Sequence, residues 1–230
     1  MIIPKIKIPL YGIIIVLSIF IGMLYIYIEL KKNKINKKEI CYYYIIYISF
    51  AFICGKIYTL LIYGLEESLW EVGLSAYGGL IGVVIGSIIF EKILYCNKEI
   101  IKYTVLSLPL VYGLTKIACF ISGCCGGIPY NGIFKVKYIN GLNIYQFPIQ
   151  IVETIVFLLL FCICHKNRNK KNIAYITLIL VSIIKFLLDF LRYEHTNIFL
   201  SRNQFFSIIL LLAIIIIKKY KLIDKIIFKN

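Results

Sequence analysis

Ionisable side chains stand inside otherwise apolar stretches at Lys56, Lys116, Glu153, Lys185 and Asp189, with Arg192 just beyond the last of them. Such a group within a membrane span costs about 2.5 kcal/mol or more, so it marks a functional site or is paired with another charge. Lys185, Asp189 and Arg192 fall at i, i+4 and i+7, which is one face of a helix. Gln150 and Glu153 are i, i+3 neighbours, and Lys116, Cys119 and Gly123 share a face in the same way. The cations Lys56, Lys116, Lys185 and Arg192 outnumber the carboxylates Glu153 and Asp189. Salt bridges such as Lys56–Glu153 and Lys185–Asp189 account for part of this set. The positive charge left over calls for an anionic ligand, and a phospholipid headgroup is the anion a membrane supplies.

Two further stretches carry backbone chemistry. KIACFISGCCGG (116–127) runs from the lysine into a turn containing Ser122, Gly123, Cys124 and Cys125. SAYGGLIGVVIG (75–86) begins with Tyr77, Gly78 and Gly79 at the start of an apolar segment, where free helix N–H groups favour anions. Gly78, Gly82 and Gly86 also form a small-xxx-small stripe, which serves close helix packing. The chain has 8 cysteines. No C-x-x-C or H-x-x-x-H spacing supports a metal site, and none is expected. A Cys124–Cys125 disulfide is disfavoured, because adjacent Cα atoms lie about 3.8 Å apart, short of the usual span of about 4.4–6.8 Å. Cys119 paired with either remains open. The turn reads first as a compact border to the charged site, and His195 as a base if its loop folds inward.

The elements that must hold these groups follow from composition. The 230 residues are 61% hydrophobic, with a mean hydropathy of +0.89, against about 45–50% apolar content in soluble domains. This excludes an ordinary soluble domain. The formal charge of +15 sits mostly in loops between apolar runs, so the positive-inside rule explains it without nucleic acid. Apolar segments are expected at about Ile8–Leu30, Ile40–Tyr63, Leu74–Tyr95, Tyr103–Ile121, Pro148–Cys164, Ile173–Leu191 and Asn203–Ile217. The first has no A-x-A cleavage site and reads as a retained span, and no lipidation motif is present. Loops 31–38, 96–102, 165–172 and the C-terminal tail are basic, whereas 64–73, 122–147 and 192–202 are acidic or weakly charged. The expectation is an all-α polytopic membrane protein over 1–230, one integral membrane domain with seven transmembrane helices, N-terminus outside and C-terminus cytoplasmic. On that topology Lys56, Lys116, Glu153 and Lys185 all lie roughly 8–10 Å inside the outer ends of their helices.

The same segments resemble, in order, the motifs of the bacterial prolipoprotein diacylglyceryl transferase family. SAYGGLIGVVIG resembles its His-Gly-Gly helix, and KIACFISGCCGG its arginine-led signature in the Gly-Cys-Cys variant. FPIQIVE (147–153), KFLLDFLRYEH (185–195) and SRNQFFS (201–207) resemble its later motifs. This chain has Tyr77 where the family has histidine, and Lys116 and Lys185 where it has arginine. The resemblance implies a plasma-membrane transferase that moves a diacylglyceryl group from phosphatidylglycerol to the lipobox cysteine of a prolipoprotein signal sequence. It implies no metal or nucleotide cofactor. Tyr77, Lys116, Glu153, Lys185 and Arg192 would then be catalytic. Lys56, Gly78, Gly79, Cys119, Ser122, Gly123, Cys124, Cys125, Gln150 and Asp189 would border the substrates. The alternatives are a divergent lipid-binding or transport paralogue without catalysis, and a membrane thiol oxidoreductase using Cys119, Cys124 and Cys125.

Overall fold

A computed structural model describes residues 2–3, 9–63, 75–94, 99–138, 144–196 and 199–219. The acidic loop expected at 64–73 and the turn at Asn140-Gly141 lie largely or wholly outside these residues. The described helices are α1 (Pro9–Lys32), α2 (Lys37–Tyr63), α3 (Ala76–Leu94), α4 (Glu99–Ser122), α5 (Ile149–Lys166), α6 (Ile173–Asp189) and α7 (Arg202–Lys219). Each falls on one of the expected apolar segments. Among the described residues, four stretches suit a membrane crossing by length and composition: Leu10–Lys32, Lys37–Leu61, Ile100–Ser122 and Ile149–Lys166. Shorter apolar stretches occupy Gly78–Glu91 and Asn203–Ile216. The outward faces are apolar, as a lipid solvent requires: Val16, Leu17 and Phe20 of α1 and Ile45, Phe52 and Ile57 of α2 are all exposed. The helical plan is supplemented by a two-residue parallel pairing of β1 (Ile2–Ile3) with β2 (Lys137–Tyr138) and by a 3-10 turn at Tyr193–Thr196.

The helices gather into two compact units. Among the described residues, one comprises those up to Gly22 with those from Pro109 onward, the other those within Met23–Leu108. The boundary thus falls inside α1 and inside α4, in the latter at Pro109, which contributes no amide to the helical ladder.

In the unit containing α2 and α3, the glycine stripe lets two backbones meet. A Cβ on Gly78 would lie 2.3 Å from the Cys54 carbonyl oxygen, and one on Gly82 2.2 Å from that of Phe50. Buried Tyr43 ties the helices together by bonding Ser87 of α3 at 2.9 Å and Thr104 of α4. Gly82→Ala places a methyl against backbone that cannot swing away. It is expected to destabilise the protein by about 1–3 kcal/mol, the usual range for overpacking, seen as a lower melting temperature in detergent. An unchanged melt would contradict this α2–α3 approach.

In the other unit, α4 from Pro109, α5, α6 and α7 carry the charged residues. Here Gly22 of α1 faces Val111 of α4, where a Cβ would lie 2.2 Å from the valine Cγ2.

Candidate active site

Lys116 lies near the end of α4, Glu153 in the second turn of α5, and Lys185 and Asp189 in the last turns of α6. Arg192 follows α6 directly. All five side chains are buried, Glu153 and Asp189 fully so. These helix ends converge because α4 and α6 run opposite to α5, so the start of α5 lies beside the ends of its neighbours.

Glu153 is the centre. Its Oε1 accepts from Lys185 Nζ at 2.8 Å, from Arg192 Nη2 at 2.9 Å and from the Tyr112 hydroxyl at 3.0 Å. Its Oε2 takes Lys116 Nζ at 3.1 Å and Arg192 Nη2 at 3.1 Å. Asp189 Oδ1 lies 3.1 Å from Arg192 Nε and 3.7 Å from Lys185 Nζ, while Oδ2 accepts from the Ser201 hydroxyl and lies 3.8 Å from His195 Nε2. The expected Lys185–Asp189 pair therefore forms, and Glu153 bridges three cations at once.

Among the described residues of this cluster three cations meet two carboxylates, one positive charge in surplus. Removing ions from water costs several kcal/mol each, which paired partners offset and a surplus ion does not. Tyr112 softens the burden. Lys116 Nζ lies 4.8 Å and Lys185 Nζ 5.3 Å from its ring centroid, cation–π contacts worth about 0.5–2 kcal/mol apiece. What the arrangement can do is hold an anion: its cations are fixed before one arrives, so little reorganisation is needed.

The glycine-cysteine turn explains how Arg192 is placed. After Ser122 the chain reverses at Gly123, whose φ is +77°, and at Cys125, whose φ is +58°. The Gln150 side-chain amide donates to the Cys124 carbonyl at 2.8 Å. The chain then runs beside the segment after α6: Tyr193 N–H donates to Gly126 O at 3.1 Å, Ile128 N–H to Leu191 O at 3.0 Å, and Gly127 bridges antiparallel to Arg192. Only glycine fits at 127, where a Cβ would lie 2.3 Å from Phe147 O and 3.1 Å from Leu191 O. The turn is thus a strap that fixes the backbone on either side of Arg192.

The structure brings together Lys116, Glu153, Lys185, Asp189 and Arg192, with Gln150 and the 119–125 turn alongside. The Sγ atoms of Cys119, Cys124 and Cys125 all lie within 4.8 Å of one another, as free thiols. Lys56, Tyr77, Gly78 and Gly79 belong to the other unit. Lys56 is part-buried in α2, and Tyr77 lies in the first turn of α3 with its side chain outside the described residues. Gly78 is buried against Cys54 and Gly55 of α2, which gives it a packing role in this structure. Tyr112 is the site residue that sequence reading passes over. Its signal is its place one turn before Lys116 on the same helix face. Ser201 and Gln204 form a second support: the Gln204 side chain accepts from Ser201 N–H at 3.1 Å and donates to Phe186 O at 3.2 Å, which holds Ser201 against Asp189.

Comparison with known proteins points one way. The sequence model of the prolipoprotein diacylglyceryl transferase family matches residues 1–220. A phosphatidylglycerol–prolipoprotein diacylglyceryl transferase of Clostridium tetani is 28% identical, over 88% of this chain and 88% of its own. One from Clostridium novyi is 26% identical over 96% of this chain and 94% of its own. One from Blochmanniella floridana is 27% identical over 59% and 57%, respectively.

Proposed function

Since the chain belongs to the prolipoprotein diacylglyceryl transferase family and is a transferase, we propose that it transfers a diacylglyceryl group from phosphatidylglycerol to the lipobox cysteine of an exported prolipoprotein. The relatives whose names specify both substrates extend over most of this chain. The observation that carries the reading is the surplus positive charge of the Glu153-centred cluster.

In this reading Lys116, Lys185 and Arg192 hold the phosphate and offset the charge that grows on the leaving oxygen. Glu153 and Asp189 keep the cations in place, and Tyr112 orients the two ammoniums. The acceptor sulfur attacks the glyceryl carbon that bears the phosphate ester. A C–S bond forms, the C–O bond breaks with its electrons on the phosphate oxygen, and glycerol phosphate leaves. A tyrosine in place of the family's histidine is the weaker base at neutral pH, so the acceptor thiol needs another source of activation.

The proposed topology is multi-pass in the bacterial plasma membrane, with seven spans, the N-terminus outside and the C-terminus inside. The basic loop HKNRNKKN (165–172) joins the ends of α5 and α6 remote from the cluster, which supports a cluster on the outer leaflet.

The test is direct. Purified protein is incubated with labelled phosphatidylglycerol and a lipobox peptide, and thioether product is sought. Product that requires the peptide cysteine supports the proposal. No product, where a Clostridium tetani relative run in parallel gives it, removes it and leaves a lipid-binding role.

A further inference from the structure

Cys119, Cys124 and Cys125 are not needed to hold a phosphate, yet the fold gathers them. Two backbone reversals at positive φ, one at the non-glycine Cys125, bring the latter two back over the end of α4. A non-glycine residue in this region is uncommon, and such conformations concentrate at functional sites. The three sulfurs lie within 4.8 Å of one another. Zinc bonds sulfur at about 2.3 Å, which in tetrahedral geometry sets ligand sulfurs about 3.8 Å apart. Closing to that spacing takes a shift of about 1 Å or less per pair, whereas a disulfide needs sulfurs about 2.0 Å apart and an oxidant.

Supporting contacts of the kind that surround metal ligands are also present. The Ser122 hydroxyl lies 3.2 Å from Cys124 Sγ, and Gln150, fully buried, anchors the Cys124 carbonyl. Cys125 is exposed, so the group opens outward.

We propose that Cys119, Cys124 and Cys125 form a three-thiolate site for a zinc-class cation, whose fourth position takes the sulfur of the acceptor cysteine. Thiolates select soft cations over magnesium or calcium, and zinc sites with three protein ligands keep a fourth position for a reactant. The acceptor thiol gives its proton to solvent as it binds, and its sulfur then attacks the glyceryl carbon with glycerol phosphate leaving as above. This second half of the proposal rests on the transfer reaction; the metal site itself does not.

The full-length protein, reduced and stripped with chelator, is titrated with Cd(II) and then with Zn(II). The expected result is one Cd(II) per chain with a thiolate-to-metal charge-transfer absorbance, displaced by Zn(II). Cys119→Ser, Cys124→Ser and Cys125→Ser should each weaken binding by more than the roughly 10–100-fold that loss of an outer-shell partner costs. Cys41→Ser and Cys162→Ser, outside the cluster, should change nothing. Absence of the absorbance, its survival when all three cysteines are serine, or a disulfide forming in place of metal uptake would overturn the site. Transfer is then compared in stripped and zinc-loaded protein. Restoration by zinc supports the acceptor role, and equal rates overturn that role while leaving the site. If neither form transfers although cadmium binds, the transfer reading has failed and the metal site stands.

Discussion

Glu153→Gln is expected to be the most destabilising single change in the molecule. The substitution keeps the volume and removes the charge on which Lys116, Lys185 and Arg192 all depend. Three buried cations would then face Asp189 alone. Removing one partner of a buried ionic group costs about 3–5 kcal/mol, because the charge left behind stays in a low dielectric. The measurement is thermal unfolding in detergent, with yield from the membrane fraction as a second readout. Lys116→Met introduced into Glu153→Gln should recover part of the loss, since it removes one of the stranded cations. Contacting residues in one network give such coupling, whereas independent sites add. Additive penalties from the two changes would contradict a shared ionic centre.

Lys116→Met alone should do the opposite: leave the fold and remove the function. The cluster loses its surplus charge and becomes balanced, so stability should hold or rise. Phosphatidylglycerol-dependent transfer should fall by about 10²–10³-fold, the range seen when one donor to a developing negative charge is lost. Lys116→Arg should retain transfer, because the guanidinium keeps the charge and adds a two-pronged donor suited to phosphate. Loss of transfer in both variants, with melting unchanged, would assign Lys116 a steric role instead.

The helices were legible because lipid and a packed apolar interior both demand long apolar runs. The start of α5 at Ile149 follows from Pro148, which stands at its N-cap and favours a helix start. Lys116, Glu153, Lys185, Asp189 and Arg192 stood out because charge within such runs is conspicuous. Their joint attachment to one carboxylate was not legible, since it depends on which helices neighbour one another. Tyr112 was hidden for a different reason: among 19 tyrosines in an aromatic-rich chain, one more looks like filler. The cysteine group escaped the usual spacing rules. Its closeness depends on positive φ at Gly123 and Cys125, and cysteine is not a residue from which that conformation is expected. The glycines divide in the same way. The stripe at Gly78, Gly82 and Gly86 reads as packing from spacing alone, while the need for glycine at 127 appears only when Phe147 and Leu191 are seen on either side.

The central claim is that the Glu153-centred cluster holds a phospholipid phosphate by its one surplus charge. Native mass spectrometry of the purified protein, offered equal amounts of phosphatidylglycerol and phosphatidylcholine, tests it most directly. The account predicts selective retention of phosphatidylglycerol by the wild type and by Lys116→Arg, and loss of that selectivity in Lys116→Met. No preference for the anionic lipid in the wild type, or a preference untouched by Lys116→Met, would contradict it.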